Sequence, residues 1–287
     1  MTLQVSLVGM PGCGKSTVAR HLARLLGLNF IDTYFRTGLY PTPQMPFTPG
    51  NEGAGIVLAL GAGVKGFKAG DRVAYVSTLG SYAEQRIVPA SALVKLPESI
   101  SFKQAAGMML KGMTAEYLLH RTYKVKRGDA VLIHAAAGGT GLILCQWAKH
   151  LGATVIGTVG SAEKAKLAKK NGCHHTILYR EEDFVTRVKE ITGGRGVVVV
   201  YDGVGKDTFL KSLDCLRPFG LMVSFGNASG AVEPVNLGLL GPKGSLFVTR
   251  PTLFTHMGQP NGLKSMARNL FKVVASGDVK VPVNACF

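Results

Sequence analysis

The chain is short of acidic residues: 17 Asp and Glu stand against 33 Lys and Arg, a net charge of +16 over 287 residues. Such an imbalance raises nucleic acid as a partner. The basic residues are spread along the chain, however, and no stripe of them interleaves with aromatics, so nucleic-acid binding is not expected. A cationic field that draws in an anionic small molecule accounts for the excess. Cysteine is scarce, scattered and odd in number, at positions 13, 145, 173, 215 and 286. That spacing forms neither a disulfide framework nor a zinc site, and it points to free thiols in a reducing cytoplasm. No apolar run approaches ~18 residues, so no membrane span is expected. Residues 1–10 lack the basic-then-apolar pattern of a secretory signal.

What is present is glycine (37 residues) and a 46% hydrophobic content, arranged as short apolar runs alternating with helical patterns. This favours an α/β fold of one or two domains. The organising stretch is residues 130–141, Ala-Val-Leu-Ile-His-Ala-Ala-Ala-Gly-Gly-Thr-Gly. An apolar run ends in small residues, a helical pattern follows to Gly152, and a second apolar run spans Ala153 to Val159. That is a βαβ unit. Its turn matches the dinucleotide fingerprint at Ala136, Gly138 and Gly141, with alanine in the first place. Gly138 lets backbone approach a pyrophosphate, Gly141 lets the helix pack close to the strand, and the free N–H groups of the helix face the phosphates. NAD sites place an acid about 20 residues on. Here that strand ends Gly157-Thr158-Val159-Gly160-Ser161 without one. A carboxylate there would repel a 2′-phosphate, whereas Ser161 and Lys164 attract one, so NADP(H) is favoured over NAD(H).

A second motif opens the chain. Leu3–Val8 reads as a strand, and Gly9-Met-Pro-Gly-Cys-Gly14-Lys15-Ser16 matches the P-loop pattern, with a helix over Thr17–Leu26. Gly9 and Gly14 shape the loop, Lys15 reaches β/γ oxygens, and Ser16 holds Mg²⁺. With Asn29-Phe30-Ile31-Asp32-Thr33 it resembles the start of a shikimate kinase. That family continues with a second Asp where this chain has Tyr34, and the resemblance ends there. One strand and one helix cannot close a nucleotide site. A P-loop small-molecule kinase is therefore kept as an alternative function, beside a catalytically inactive NADPH-binding protein.

From Asn29 to about residue 283 the chain resembles the NADPH:quinone oxidoreductases, the zinc-free, zeta-crystallin-like branch of the medium-chain dehydrogenase/reductases. The likeness is carried by Asn29-Phe-Ile-Asp32-Thr-Tyr34-Phe-Arg36-Thr-Gly38-Leu-Tyr40, Gly50-Asn51-Glu52-Gly53, Lys68–Val73, Leu110–Thr114, the 135–141 turn, Tyr179–Asp183, Phe225-Gly226-Asn227 and Val248–Pro251. Zinc alcohol dehydrogenases of this superfamily have Gly-His-Glu where this chain has Gly50-Asn51-Glu52. Asn is a poor zinc ligand, so no metal is expected. The resemblance implies hydride transfer from NADPH to a quinone or enone. Gly138, Gly139, Thr140 and Gly141 would hold the pyrophosphate, and Ser161, Lys164 and Tyr179 the 2′-phosphate. Thr114, Phe225, Gly226 and Asn227 would line the nicotinamide side. Asn29, Asp32, Tyr34 and Tyr40 would shape the acceptor pocket, or else serve as a hydrogen-bonded scaffold. It also implies a homodimer through the last sheet strand, Ser245–Arg250.

The expected organisation is a P-loop strand–helix segment (1–28), a partial GroES-like β-barrel catalytic domain (29–110), a doubly wound parallel Rossmann domain (111–250), and a C-terminal helix returning to the catalytic domain (251–287). The reductases begin with further strands before Asn29 and continue past residue 283, so unpaired edges are expected in the catalytic sheet. Barrel strands are expected over 55–60, 72–76, 82–88 and 93–96, and helices over 101–109 and 113–122. Ser161 should cap a helix running to Lys170. A helix over 182–192 is followed by the strand Val197–Tyr201 and then by a helix over 206–216. The strands Leu221–Phe225 and Leu246–Thr249 come next, and the helix Gly262–Ala275 closes the series. The His174-His175 pair reads as solvated loop.

Overall fold

The computed structural model describes residues 2–6, 28–41, 45–76 and 79–281. The P-loop pattern with Gly9, Gly14, Lys15 and Ser16 lies outside the described residues, as do Cys13 and Cys286. The chain divides into two compact units. One comprises the described residues of Met1–Met113, Asn261–Gly277 and Val281–Phe287; the other comprises Thr114–Pro260 and Asp278–Lys280.

The first unit is built on a five-stranded antiparallel sheet. Its strands are β1 (Thr2–Ser6), β2 (Glu52–Leu60), β3 (Arg72–Val76), β4 (Gln85–Pro89) and β5 (Leu93–Lys95), in the order β4-β1-β2-β3-β5. The strand expected as part of a separate leading segment thus lies inside this sheet, hydrogen-bonded to β2 and β4. A short helix, α1 (Phe30–Arg36), precedes β2. Val57, Val73, Tyr75, Val88 and Leu93 bury one core cluster of this unit. A long helix, α2 (Phe102–Tyr117), follows β5 and continues as a π-helical turn over Leu118–Thr122. Two helices were expected here, separated near Gly112. The correction has a packing cause. A Cβ at Gly112 would lie 2.5 Å from Leu270 Cδ1, so this glycine allows close approach and does not end the helix.

The second unit carries six parallel strands: β6 (Ala130–Ile133), β7 (Thr154–Val159), β8 (His175–Leu178), β9 (Val197–Asp202), β10 (Leu216–Ser224) and β11 (Phe247–Thr249). Their order is β11-β10-β9-β6-β7-β8, the doubly wound arrangement in which the chain reverses its direction of winding beside β6. Helices α3 (Gly139–His150), α4 (Ala162–Lys170) and α5 (Phe184–Ile191) connect the strands from β6 to β9. All six residues of β9 are buried, the near-continuous apolar run of a strand covered on both faces. Past β9 the expected long helix is much shorter. α6 covers Phe209–Ser212, a 3₁₀ turn covers Leu213–Cys215, and β10 begins already at Leu216. Leu213, Cys215 and Leu216 are buried on either side of the partly exposed Asp214, which pairs with Lys243, and the chain passes through this tight turn straight into β10. His174 and His175 are both exposed, but His175 opens β8 rather than lying in a loop, and His174 Nδ1 accepts the Val155 N–H at 2.9 Å.

A short helix, α7 (Leu253–Met257), precedes the return to the first unit, where α8 (Gly262–Ala275) occupies the expected residues. Leu263, Met266, Ala267, Leu270, Phe271, Val273 and Val274 form its buried stripe. Among the described residues no helix is long and apolar enough to cross a membrane.

Candidate active site

The turn after β6 is the first component. Ala135 adopts φ 51°, a left-handed conformation uncommon for a residue with a Cβ. Its carbonyl accepts the Gly138 N–H at 2.8 Å, and Ala136 N–H reaches Thr158 O at 3.1 Å. Gly138 is the N-cap of α3 and has no side chain to satisfy the first helical N–H groups. Gly138 and Gly139 are exposed, Thr140 is half-buried and Gly141 is buried. A Cβ on Gly141 would stand 2.3 Å from Ala135 O and 2.9 Å from two backbone atoms of Ala136. Only glycine allows the helix to start this close to the strand. The result is a bare, outward-facing helix N-terminus beside the strand ends, suited to an anionic group.

The second component is a cleft of about 220 Å³ at the ends of β7 and β8. Ser161, Lys164 and Tyr179 line it together. Ser161 caps α4, its side chain accepting the Lys164 N–H at 3.4 Å. The same cleft is lined by Arg180, which the sequence reading passed over. Its guanidinium carbon lies 6.0 Å from the centre of the Tyr179 ring. No carboxylate is among the lining residues, so two cations meet at this point with no internal anion to neutralise them.

Beneath the cleft is a buried polar network. Thr158 and Thr208 line the cleft floor. His134 joins Thr158 Oγ1 through Nδ1 and Ser212 Oγ through Nε2, both at 2.8 Å. Ser212 donates its one hydroxyl proton to Thr208 O at 2.7 Å, so His134 Nε2 must carry the proton and Nδ1 must accept from Thr158. Burial pushes the His134 pKa down, and Asp202 pulls it partly back. Asp202 is itself buried and accepts from Val204 N, Gly205 N and Thr208 Oγ1. A histidine held neutral in the fold and protonated on unfolding removes stability as pH falls below its unfolded value near 6.5. Equilibrium urea unfolding is therefore expected to lose stability on acidification from pH 7 to 5, by at most about 1.4 kcal/mol per pH unit per such group. His134→Gln should flatten this slope; an unchanged slope would contradict the assignment.

At the ends of β9 and β10, Phe225 donates its N–H to Asp202 O at 2.8 Å. Arg250 donates to Ser224 Oγ and Gly226 O. With its amide oxygen turned toward Arg250, Asn227 accepts from Nη2 at 3.1 Å and donates to Gly226 O at 2.9 Å. A Cβ on Gly226 would lie 2.5 Å from Gly203 O, so these two loops require glycine at their contact. Thr114 is half-buried on α2.

In the first unit the four acceptor-site candidates separate into two kinds. Asn29 and Asp32 are buried and hydrogen-bonded. Asp32 Oδ2 accepts from Asn29 N (2.9 Å) and Tyr82 OH (2.8 Å), and Oδ1 accepts from Asn51 Nδ2 (3.0 Å). Asn29 Nδ2 donates to Glu52 Oε1 at 2.7 Å. Glu52 also accepts from Leu110 N and pairs with Lys111 at 3.4 Å. Burial pushes the Glu52 carboxyl up, while Lys111 and these hydrogen bonds pull it down. Burial and the neighbouring Asp32 push the Tyr82 hydroxyl well above its usual range, so it stays protonated and acts as a donor. Tyr34 and Tyr40, by contrast, form an aromatic pair with ring centres 5.0 Å apart. Tyr34 is buried, and Tyr40 lines an open cleft of about 690 Å³ with Phe35, Met45 and Phe47. Asn51, at the place where the zinc enzymes carry histidine, spends its amide on Asp32. Among the described residues no three His, Cys, Asp or Glu side chains cluster as metal ligands.

The zinc-binding dehydrogenase family matches residues 139–270, and the alcohol dehydrogenase GroES-like domain family matches residues 23–98. The quinone oxidoreductase of Pseudomonas aeruginosa is 54% identical over 265 residues, covering 92% of this chain and 82% of its own length. A 2-haloacrylate reductase from Burkholderia is 50% identical over 278 residues, covering 94% and 82%. The crystal structure of Escherichia coli quinone oxidoreductase in complex with NADPH superposes with a TM-score of 0.90 at 52% identity, covering 98% of this chain and 82% of that one. The chain belongs to the quinone oxidoreductases of the medium-chain dehydrogenase/reductase superfamily.

Proposed function

We infer that the chain is an NADPH-dependent reductase of quinones and related enones. One observation supports the choice of coenzyme above the rest: Ser161, Lys164, Tyr179 and Arg180 meet in a cleft that no carboxylate lines. A 2′-phosphate supplies the charge that this cleft lacks. The residues present fit the coenzyme at its other end too, since Gly138 leaves the α3 N-terminus bare. The backbone N–H groups of Gly139, Thr140 and Gly141 would take the pyrophosphate oxygens. Thr114, Phe225, Gly226 and Asn227 would border the nicotinamide, Asn227 being held in orientation by Arg250. Bound in this way, NADPH supplies a hydride, so the protein needs no covalent nucleophile.

The work of this chain's side chains is orientation and exclusion of water. In this reading Tyr40 offers its ring to a flat acceptor and Tyr34 supports it from behind. Asn29 and Asp32 act through their hydrogen bonds to Asn51, Glu52 and Tyr82 and fix α1, which carries Tyr34 and leads into the turn that carries Tyr40. We assign the 29–110 stretch to acceptor binding and the 111–250 stretch to coenzyme binding. A homodimer through the edge strand β11 suits the exposure of Phe247 (59%) and Val248 (39%). The test is NADPH titration of the purified protein with and without 1,4-benzoquinone, with the sedimenting mass recorded on the same sample. Saturable binding and quinone-dependent NADPH oxidation by a two-chain particle are expected. Binding without oxidation across several quinones would overturn the enzymatic reading, and a one-chain mass would overturn the dimer.

A further inference from the structure

Two cysteines that the coenzyme reading leaves unused meet inside the second unit. Cys145 lies on α3, and Cys173 lies at the entrance to β8. Both are reduced and buried. Two glycines bring them together. Gly172 holds φ 94°, and a Cβ on it would stand 3.0 Å from Cys145 O, so the chain before β8 runs directly against α3. A Cβ on Gly157 of β7 would lie 2.7 Å from Cys173 Sγ and 2.5 Å from Ala136 Cβ, so the sulfur fills space that a side chain at 157 would take. Cys145 Sγ reaches Ala136 O at 3.9 Å. Both sulfurs thus crowd Ala136, the first position of the glycine turn, and the two thiols share a hydrogen bond.

The pair is unequal. Cys145 is 0% exposed and Cys173 is 4% exposed. The hydrogen bond from Cys145 holds the Cys173 thiol below its usual range; burial opposes this, while backbone hydrogen bonds at His175 and Gly157 and the charge of Lys169 assist it. The same bond, with burial, pushes the Cys145 thiol well up. Cys173 is therefore the sulfur that ionises first and stands nearer solvent, with Cys145 as its protonated neighbour. Cys215 is the contrast. Burial pushes its thiol up to about 12, and it donates to Lys211 O at 3.8 Å.

We propose that Cys145 and Cys173 form a peroxide-oxidisable dithiol site, whose reversible disulfide distorts the adjoining glycine turn and weakens coenzyme binding. The Cys173 thiolate attacks the O–O bond of hydrogen peroxide, hydroxide leaves with the proton that Cys173 released, and a sulfenic acid remains. The Cys145 sulfur then attacks the Cys173 sulfur, the S–O bond breaks, and the leaving hydroxide takes the Cys145 proton as water. Two thiols and one peroxide give one disulfide and two waters. A small dithiol reverses the bond by exchange and becomes a disulfide itself. Bond formation draws the sulfurs to ~2.05 Å, well inside hydrogen-bond contact. Gly172 already abuts Cys145, and Cys173 Sγ already abuts Gly157, so the movement falls on Ala136 and the start of α3. The effect on coenzyme rests on the assignment of that turn to the pyrophosphate; the disulfide does not.

The experiment treats the full reduced chain with hydrogen peroxide and maps its thiols by proteolysis and mass spectrometry. A Cys145–Cys173 link is expected, with Cys215 untouched and full reversal by dithiothreitol. The N–H groups of Ala136, Gly138 and Leu142 are hydrogen-bonded in and around the turn. On oxidation their amide exchange should quicken and NADPH affinity should fall, each by about tenfold. Cys173→Ala should keep the NADPH affinity of the reduced chain and ignore peroxide. Cys145→Ala should instead let Cys173 run on to a sulfinic acid that dithiothreitol does not reverse. The proposal is overturned by thiols that survive peroxide, by oxidation confined to Cys13 or Cys286, or by a link that leaves the turn's exchange or the affinity unchanged. A Cys173→Ala protein that loses NADPH on oxidation as the parent does would overturn it as well. A reduced chain that binds no NADPH at all would sink the coenzyme reading instead, and the mass map and amide exchange would still decide the disulfide.

Discussion

Lys164→Glu is expected to weaken NADPH about a hundredfold while changing NADH by less than threefold. Charge-assisted hydrogen bonds contribute ~1.5–3 kcal/mol each, and reversing the charge adds repulsion that solvent only partly screens. A hundredfold corresponds to about 2.7 kcal/mol, within that range for an exposed pair. The selectivity is the informative part. Lys164 shares its cleft with Ser161, Tyr179 and Arg180 and faces no internal carboxylate, so its charge has no other evident use there. Arg180→Ala should weaken NADPH about tenfold in the same direction, because its guanidinium borders the same cleft. Measured dissociation constants for both coenzymes decide the matter. Equal losses for NADPH and NADH would mean that Lys164 supports the fold of the α4 turn and does not read the phosphate.

Gly141→Ala is expected to abolish measurable NADPH binding and to destabilise the protein by about 2–4 kcal/mol. The new Cβ would be placed 2.3 Å from Ala135 O, and the atoms it meets are backbone. No side chain can swing away, so either the turn or the first turn of α3 must shift. Both carry the N–H groups assigned to the pyrophosphate. Gly107→Ala is the control: nothing lies within 4 Å of its Cβ position, and it sits in α2, where alanine favours helix by about 1 kcal/mol. Denaturant midpoints and NADPH titration of both variants make the comparison. Full binding by the Gly141 variant would show that the close approach does not shape the coenzyme site.

The βαβ unit around residues 130–159 was legible because its cues are local: an apolar run, small residues, a helical period, then another run. Ser161 and the Gly262–Ala275 helix could be read for the same reason, one from a cap and one from an amphipathic stripe. Gly112 misled because a glycine that breaks a helix and a glycine that receives a neighbour look alike in sequence. Only Leu270, far along the chain, distinguishes them. Cys215 and Leu216 fit a helical spacing, but the chain closes a 3₁₀ turn at Cys215 and Leu216 already pairs with Val197 of β9 as the start of β10. Arg180 stood in plain view beside Tyr179. Which residues past the end of β8 border the cleft depends on a turn that no periodicity encodes. The Asn29–Glu52–Lys111 and Asp32–Asn51–Tyr82 bonds join four separate segments, so their pairing was beyond the reach of spacing alone.

The strand order of the second unit has a consequence for assembly. β6 and β7 are joined by a single helix, so the pairing that carries the glycine turn closes a short loop. β9 instead pairs with β6 through contacts such as Val131 with Val199, and the chain must travel out and back before they form. Loop-closure entropy makes such long-range pairings the slower event. The β6–β7 pairing, which carries the glycine turn, is therefore expected to form ahead of the β6–β9 pairing, and a pulsed hydrogen-exchange refolding experiment that protects β9 amides first would contradict this order.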